Sequence, residues 1–235
     1  MNGAQIAQEA VRRLSTGVCR FCACLFDRGG MASHLKSCPK RKSDPGAGGN
    51  EEIFQLFVEG GPDYWLHVEI GGGAALSDLD VFLREIWLEC CGHLSGFTIE
   101  KKQYMSHPMK EYEQKGMSAK LCQILRPRMK FYHAYDFGTT THLSLKVLSV
   151  RTGRTGKEWV RILARNNPPA IPCDFCPKTA TNLCPFCIGE NTGFVCDACM
   201  GEHECDDNDG ETFLPFVNSP RTGMCGYTGP SKEPA

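Results

Sequence analysis

The feature that most constrains this chain is the spacing of its cysteines, which recur in pairs separated by two residues. The four pairs are Cys19/Cys22, Cys173/Cys176, Cys184/Cys187 and Cys196/Cys199. A C-x2-C turn directs two thiolates at one ion, as structural zinc sites do. In a reducing compartment, the fifteen cysteines of this chain therefore predict metal binding rather than disulfides.

Charge and chain-breaking residues divide the sequence into three segments. Residues 1–45 carry eight Lys or Arg against three Asp or Glu, residues 46–166 carry 15 against 14, and residues 167–235 carry three against ten. Stretches rich in Pro, Gly and Asn separate the segments near 39–50 and 166–172. We predict a zinc finger with a preceding helix at 1–42, an α+β domain at 53–165 and a Cys-rich two-zinc module at 173–229.

The two flanking segments are too poor in apolar residues to fold without help. Only 10 of the last 63 residues are Ile, Leu, Val or Phe, so a bound metal has to supply the stability that a core would give. No apolar run approaches the roughly 18 residues of a membrane span, and residues 1–16 lack the apolar stretch of a secretory signal. We therefore expect a cytoplasmic protein without a membrane partner.

The N-terminal segment has the ligand order of a single C2HC finger. Cys19 and Cys22 form the knuckle, while His34 and Cys38, four residues apart, share a helix face. The spacing resembles compact C2HC fingers, including ubiquitin-binding ones, which commonly have Asp where this chain has Lys36. Basic residues around the finger predict nucleic-acid binding. A solvated basic tail and a site for a small protein modifier are the alternatives.

The C-terminal segment has enough ligands for two ions. They are Cys173, Cys176, Cys184, Cys187, Cys196, Cys199, His203 and Cys205. We predict that the first and third knuckles share one ion and that the second knuckle joins His203 and Cys205. Sequential pairing and replacement of Cys205 by Cys225 stay open. This order resembles cross-brace modules of the B-box type. Together with the finger it predicts three structural zinc ions, and the acidic charge favours a protein partner.

The middle segment has the patterns of an α+β domain with a mainly antiparallel sheet backed by helices. Residues 64–70 alternate like a half-buried strand, and Ser77 is placed to cap the helix that follows. Residues 131–137 alternate in another strand. The strands predicted at 142–150 and 157–164 flank a Gly- and Arg-rich turn, which indicates a hairpin.

This segment resembles the plasmid pRiA-type ORF-three-like domain, also labelled a TnpR-like passenger of insertion sequences. The matching stretches are YWLHVEI at 64–70, HLSGFTI at 93–99 and FYHAYDFG at 131–138. Family members usually continue with Asp and an aromatic residue, whereas this chain has three Thr. The resemblance implies an α+β fold with a helix-backed antiparallel sheet and no particular activity.

Candidate catalytic residues are few. Asp136 with His133 and His142, or Cys90 and Cys91 with His93, would be needed for an enzyme linked to mobile-element DNA. We expect instead a core histidine at His133, a turn-forming Asp136 and packing roles for the two cysteines. No small-molecule substrate is identifiable. The sequence thus predicts a non-enzymatic zinc-binding recognition or adaptor protein.

Overall fold

A computed structural model describes residues 15–42, 49–154, 159–190, 192–205 and 213–230. Its strands are β1 (Thr16–Cys19), β2 (Leu25–Asp27), β3 (Glu51–Glu59), β4 (Trp65–Gly71), β5 (Ser95–Ile99), β6 (Lys102–Met105), β7 (Lys115–Gly116), β8 (Lys130–Tyr135), β9 (Thr141–Gly153), β10 (Val160–Asn166), β11 (Asn182–Leu183), β12 (Phe194–Val195) and β13 (Leu214–Pro215). Its α-helices are α1 (Arg28–Ser37), α2 (Pro39–Lys42), α3 (Leu76–Leu83), α4 (Leu121–Ile124) and α5 (Asp197–Met200), and a π-helical turn at Arg84–Leu88 continues α3. The predicted helix before the finger lies outside the described residues.

Ten strands form one large sheet in the order β2-β1-β10-β4-β3-β9-β8-β5-β6-β7. Among the described pairings of this sheet only β6 and β7 run parallel, so the α+β prediction with a mainly antiparallel sheet is confirmed. The predicted hairpin of residues 142–150 and 157–164 is wrong. The β3–β4 hairpin lies between β9 and β10, with β3 paired to β9 and β4 paired to β10.

Strand β4 is buried on both faces, where the sequence predicted a half-buried strand. Leu66, Val68 and Ile70 face the main core together with buried residues of α3. The opposite face presents Trp65, His67 and Glu69, and all three are fully buried. This second face is covered because Trp65 packs into the N-terminal finger and Glu69 pairs with arginines. The polar members of β4 are therefore interior groups that need partners.

Helix α3 lies against the sheet through Leu76, Leu79 and Leu83, which are fully buried in the main core. The predicted cap at Ser77 is wrong, because the helix starts two residues earlier with Ala75 at its N-cap. The Asp78 carboxylate accepts the N–H of Ala75 at 2.8 Å. Asp78 thus satisfies one of the donors that a helix leaves exposed at its start.

The N-terminal finger adds two strands to the large sheet. Strand β1 pairs with β10 through Gly17, Val18 and Cys19. A small second core joins buried finger residues to Trp65, Leu163 and Ala164 of the sheet. The finger and the sheet therefore share both hydrogen bonds and apolar contacts.

Gly17 is the tightest point of that junction, and we expect Gly17→Ala to destabilise the protein. A Cβ there would lie 2.6 Å from the Trp65 ring and closer still to the Arg165 carbonyl oxygen. Overpacking of this kind costs roughly 1–3 kcal/mol. Gly73→Ala is the matched control, since a Cβ at Gly73 meets nothing within 4 Å. Urea unfolding at pH 7 measures both variants, and equal midpoints would refute the close contact.

The C-terminal segment has a separate three-stranded sheet in the order β12-β11-β13. Apart from cysteines, its described buried apolar residues between 173 and 205 are Ala180, Leu183 and Val195. This core is very small, as the composition predicted. Within the described residues, no helix is both long enough and apolar enough to cross a membrane.

Candidate functional site

The structure gathers the Cys and His side chains into four groups that could hold metal ions. The groups are Cys19/Cys22/His34/Cys38, Cys173/Cys176/Cys196/Cys199, Cys184/Cys187/His203/Cys205 and Cys90/Cys91/His93/Cys225, each with its ligand atoms within 4.8 Å of one another. All fifteen cysteines are free thiols. The first three groups bring together the twelve residues that the sequence analysis named, and the fourth was not anticipated.

The spacing of the ligand atoms matches a tetrahedral zinc centre. With Zn–S near 2.3 Å and Zn–N near 2.0 Å, neighbouring sulfurs lie about 3.8 Å apart and a sulfur and a nitrogen about 3.5 Å apart. Cys176 and Cys196 have their Sγ atoms 3.6 Å apart. In the finger, Cys22 Sγ lies 3.3 Å from His34 Nε2. A disulfide would require about 2.05 Å.

Local structure positions the finger ligands. Asp27 caps α1 by accepting the Gly30 N–H at 2.6 Å, which fixes the helix that carries His34 near its end. The imidazole stacks on Phe26 with ring centroids 4.1 Å apart. Cys38 follows as the C-cap and donates its N–H to the His34 carbonyl at 2.8 Å. These contacts orient His34 and Cys38 toward the knuckle.

The two C-terminal groups have the interleaved order that we predicted. Cys205 Sγ lies 3.9 Å from Cys184 Sγ and 3.3 Å from Cys187 Sγ, whereas Cys225 belongs to the fourth group. Both ring nitrogens of His203 are buried, and neither has a hydrogen-bond partner among the described residues. A buried imidazole without partners is rare, and ligation of a metal by one nitrogen would account for it.

Backbone hydrogen bonds favour the thiolate form in two knuckles. The N–H of Cys24 is the main cause that lowers the pKa of Cys22 to about 6. Burial would raise the pKa of Cys173, but N–H groups of Phe175, Cys196 and Cys176 outweigh it and lower the pKa to about 7. Thiolates are the metal-binding form of cysteine. Backbone N–H groups therefore favour the cation-binding form of Cys22 and Cys173.

A second feature is a cavity between the finger and the sheet, which we call the basic groove. It has a volume of about 320 Å³ and is lined by Leu35, Lys36, Arg41, Lys42, Gln55, Ser149, Arg151, Thr152 and Arg161. All three arginines of this lining pair with the buried carboxylate of Glu69 at 2.7–2.8 Å. Lys36 and Lys42 are exposed at the rim. Five cationic side chains thus line the described part of the groove, and three of them pair with the buried carboxylate of Glu69.

Glu69 is ionised throughout the physiological range. Burial would raise its pKa, but hydrogen bonds from Arg151, Arg41 and Arg161 outweigh this and lower the pKa from 4.5 to about 2. Because the folded-state pKa is the lower one, the stabilisation is complete above pH 4.5 and is lost as pH falls toward 2. Glu69 therefore anchors the arginines of the groove at neutral pH.

The candidate catalytic residues of the central domain are held by structural contacts. His133 is buried, and its Nε2 lies 2.7 Å from Asp80 Oδ1. Asp136 has a positive φ of 65°, accepts the Gly138 N–H at 3.0 Å and pairs with Arg221 at 2.6 Å. His142 is exposed. The expected roles of a core histidine and a turn-forming aspartate are confirmed.

The expected packing role holds for Cys90, which packs against the main core, and is wrong for Cys91. Cys91 is exposed and Cys90 partly exposed, and both belong to the fourth group. The vicinal cysteines followed by His93 were the available sequence signal. The missing ligand, Cys225, lies more than 130 residues away, so spacing alone had no means of finding it.

Comparisons with known proteins found similar chains among the solved structures. No family model matches the chain, and no curated protein matches it. The structure is similar to the crystal structure of MM3350, a protein of unknown function from Methanosarcina mazei Go1. The two share 16% identity over 52% of this chain and 73% of that chain, with a TM-score of 0.43.

Proposed function

We propose that this chain is a zinc-stabilised recognition protein that binds the phosphate backbone of a nucleic acid in the basic groove. The supporting observation is the surplus of positive charge around Glu69. One carboxylate faces Arg41, Arg151 and Arg161, and two rim lysines add further charge. Clustered cations of this kind supply most of the affinity in phosphate-backbone binding.

The groove requires the finger to be folded. Lys36 belongs to α1 and Arg41 and Lys42 to α2, whereas Arg151 and Arg161 belong to β9 and β10. A zinc ion at Cys19, Cys22, His34 and Cys38 would hold α1 in place, so the metal would act on binding through structure. Four protein ligands leave no coordination position for water, which favours a structural over a catalytic ion.

A salt titration tests the proposal. We expect the affinity of the zinc-loaded chain for labelled duplex DNA or single-stranded RNA, measured by fluorescence anisotropy, to fall steeply with salt. Replacing Lys36 and Lys42 by Ala removes two phosphate contacts, which reduces the slope of log K against log salt by roughly two. Arg28 and Arg41 are poorer probes because they pair with Glu59 and Glu69.

The control is a double Ala variant of Lys101 and Lys102, which are equally exposed but lie on the β5–β6 turn at the other end of the sheet. This variant should bind like the wild-type chain. An affinity of the wild-type chain that is absent or independent of salt would refute the proposal. An equal loss of affinity in both double variants would show that the nucleic acid binds outside the groove.

The acidic C-terminal module is unsuited to phosphate, and we propose that it contacts protein. Its knuckles expose Phe175 and Phe186 by 51% and 48%, and aromatic side chains are enriched at protein interfaces. A partner bound here should be lost when the module unfolds and retained when Lys36 and Lys42 are replaced. A partner that still binds the chain after the module has unfolded would refute the proposal that it binds at this surface.

The alternative of an enzyme with a site near Asp136 and His133 has less support. Neither of the two described cavities is lined by these residues. Asp136 Oδ2 pairs with Arg221 and His133 Nε2 lies against Asp80 Oδ1, so both side chains are engaged in structural contacts.

A further inference from the structure

We infer that Cys90, Cys91, His93 and Cys225 bind a fourth zinc ion, which fastens the C-terminal tail (residues 217–227) to the central sheet. These four ligand atoms come from two places in the chain that are far apart in sequence. The other three groups each use ligands within 27 residues or fewer. The fourth ion would therefore cross-link two parts of the chain that are far apart in sequence.

The distances around this group fit one tetrahedral centre. Cys91 Sγ lies 3.6 Å from Cys90 Sγ and 3.7 Å from Cys225 Sγ. His93 Nε2 lies 3.0 Å from Cys91 Sγ and 3.4 Å from Cys225 Sγ. These spacings are close to the roughly 3.8 Å and 3.5 Å expected between ligands of one zinc ion. They are much longer than the bond of a disulfide.

The turn that carries three of the ligands is fixed by its own hydrogen bonds. The Tyr135 hydroxyl accepts the N–H groups of Cys90 and His93 at 3.4 and 3.3 Å. Gly92 has a φ of +81° and donates its N–H to the Glu89 carboxylate at 2.6 Å. Cys90, Cys91 and His93 are therefore held on one side of a tight turn independently of the tail.

The tail is docked beside this turn by buried polar contacts. Arg221 is fully buried, and its guanidinium pairs with Asp136 at 2.6 Å and lies 3.4 Å from Cys90 Sγ. Ser219 donates its hydroxyl to the Trp87 carbonyl at 2.6 Å. Three thiolates and one imidazole around Zn²⁺ would leave one negative charge. The guanidinium next to Cys90 complements that charge, as polar groups that surround the ligands of metal sites do.

Exposure distinguishes this group from the other three and makes it testable. Each of the other groups contains at least one buried cysteine, whereas here Cys91 and Cys225 are exposed and Cys90 is partly exposed. Cys24 and Cys122 are also exposed and belong to no group. Exposed free thiols react readily, and metal-bound thiolates do not.

The first experiment is alkylation of the zinc-loaded full chain with iodoacetamide, followed by peptide mass mapping. We expect Cys91 and Cys225 to react at least about tenfold more slowly than Cys24 and Cys122. Limited EDTA should then release their protection before that of the ligands in the three groups with buried cysteines. Equal reactivity of Cys91, Cys225 and Cys24 in the loaded chain would overturn the inference. Faster reaction of Cys91 would also overturn it, because it would identify an activated nucleophile.

The second experiment counts zinc ions by native mass spectrometry in the wild-type chain, in Cys225→Ser and in Cys122→Ser. We expect four ions in the wild type and in Cys122→Ser and three in Cys225→Ser. The amides of Met224 and Tyr227, which donate to Arg221 and Met224, should exchange faster in Cys225→Ser only. Three ions in the wild type, or an unchanged count in Cys225→Ser, would overturn the inference.

Discussion

Replacing Cys184 by Ser is expected to unfold the C-terminal zinc module while leaving the large sheet intact. A structural zinc ion contributes roughly 10–16 kcal/mol of apparent binding free energy in small zinc domains. Whole domains are stable by only about 5–15 kcal/mol. With Ala180, Leu183 and Val195 as its described buried apolar residues between 173 and 205 besides cysteines, the module has too small an apolar core to match that contribution.

Hydrogen exchange and zinc content measure this effect. The amides of Ala180, Thr181 and Cys184 donate to backbone carbonyls inside the folded segment and should lose protection in Cys184→Ser, while amides of β3 and β4 keep theirs. The zinc content should fall by the two ions that the folded module would hold. Cys122→Ser is the matched control, since Cys122 is exposed and lies outside every group. Protected amides and full zinc content in Cys184→Ser would show that this thiol is not a structural ligand.

Glu69→Gln is expected to destabilise the sheet and the groove by about 3 kcal/mol. Breaking a buried ion pair leaves uncompensated charge, at a typical cost of roughly 3–5 kcal/mol. Here Arg41, Arg151 and Arg161 would all lose the same carboxylate. Zinc ligands become protonated in acid, so urea unfolding is best followed at pH 7 with saturating zinc.

Glu59→Gln is the control on the neighbouring strand. Glu59 pairs only with Arg28 among the described ion pairs, and their side chains are 25% and 43% exposed. Exposed pairs of this kind contribute about 0–1 kcal/mol. Equal destabilisation by the two substitutions would mean that Glu69 does not organise the three arginines.

The sequence was sufficient to predict which ligands share a metal group when they lie close together in the chain. A C-x2-C knuckle and a His with a Cys four residues on are fixed by turns and helix geometry, so Cys19, Cys22, His34 and Cys38 could be grouped by spacing. The interleaved order of the C-terminal groups was predicted but not fixed by the sequence, because short loops allow either sequential or interleaved pairing. Contacts between residues far apart in the chain could not be predicted from the sequence, and the contact between Cys225 and His93 is the clearest example.

The sheet order shows the same limit. Strands β9 and β10 are neighbours in sequence, but hydrogen bonding places β3 and β4 between them. Residues 51–59 were missed as a strand because both faces of β3 are buried along most of its length, which removes the alternating pattern. Burial of Glu69 could not be predicted either, since it depends on arginines from the finger and from β9 and β10.

The most direct test of the account is the metal content and thiol state of the purified full chain, measured by elemental analysis and mass spectrometry of the native and denatured forms. We expect four zinc ions and fifteen reduced cysteines. Three ions would remove the fourth metal group alone, whereas a folded chain with fewer than three ions, or with disulfides among the grouped cysteines, would contradict metal binding by the three groups that the sequence predicts.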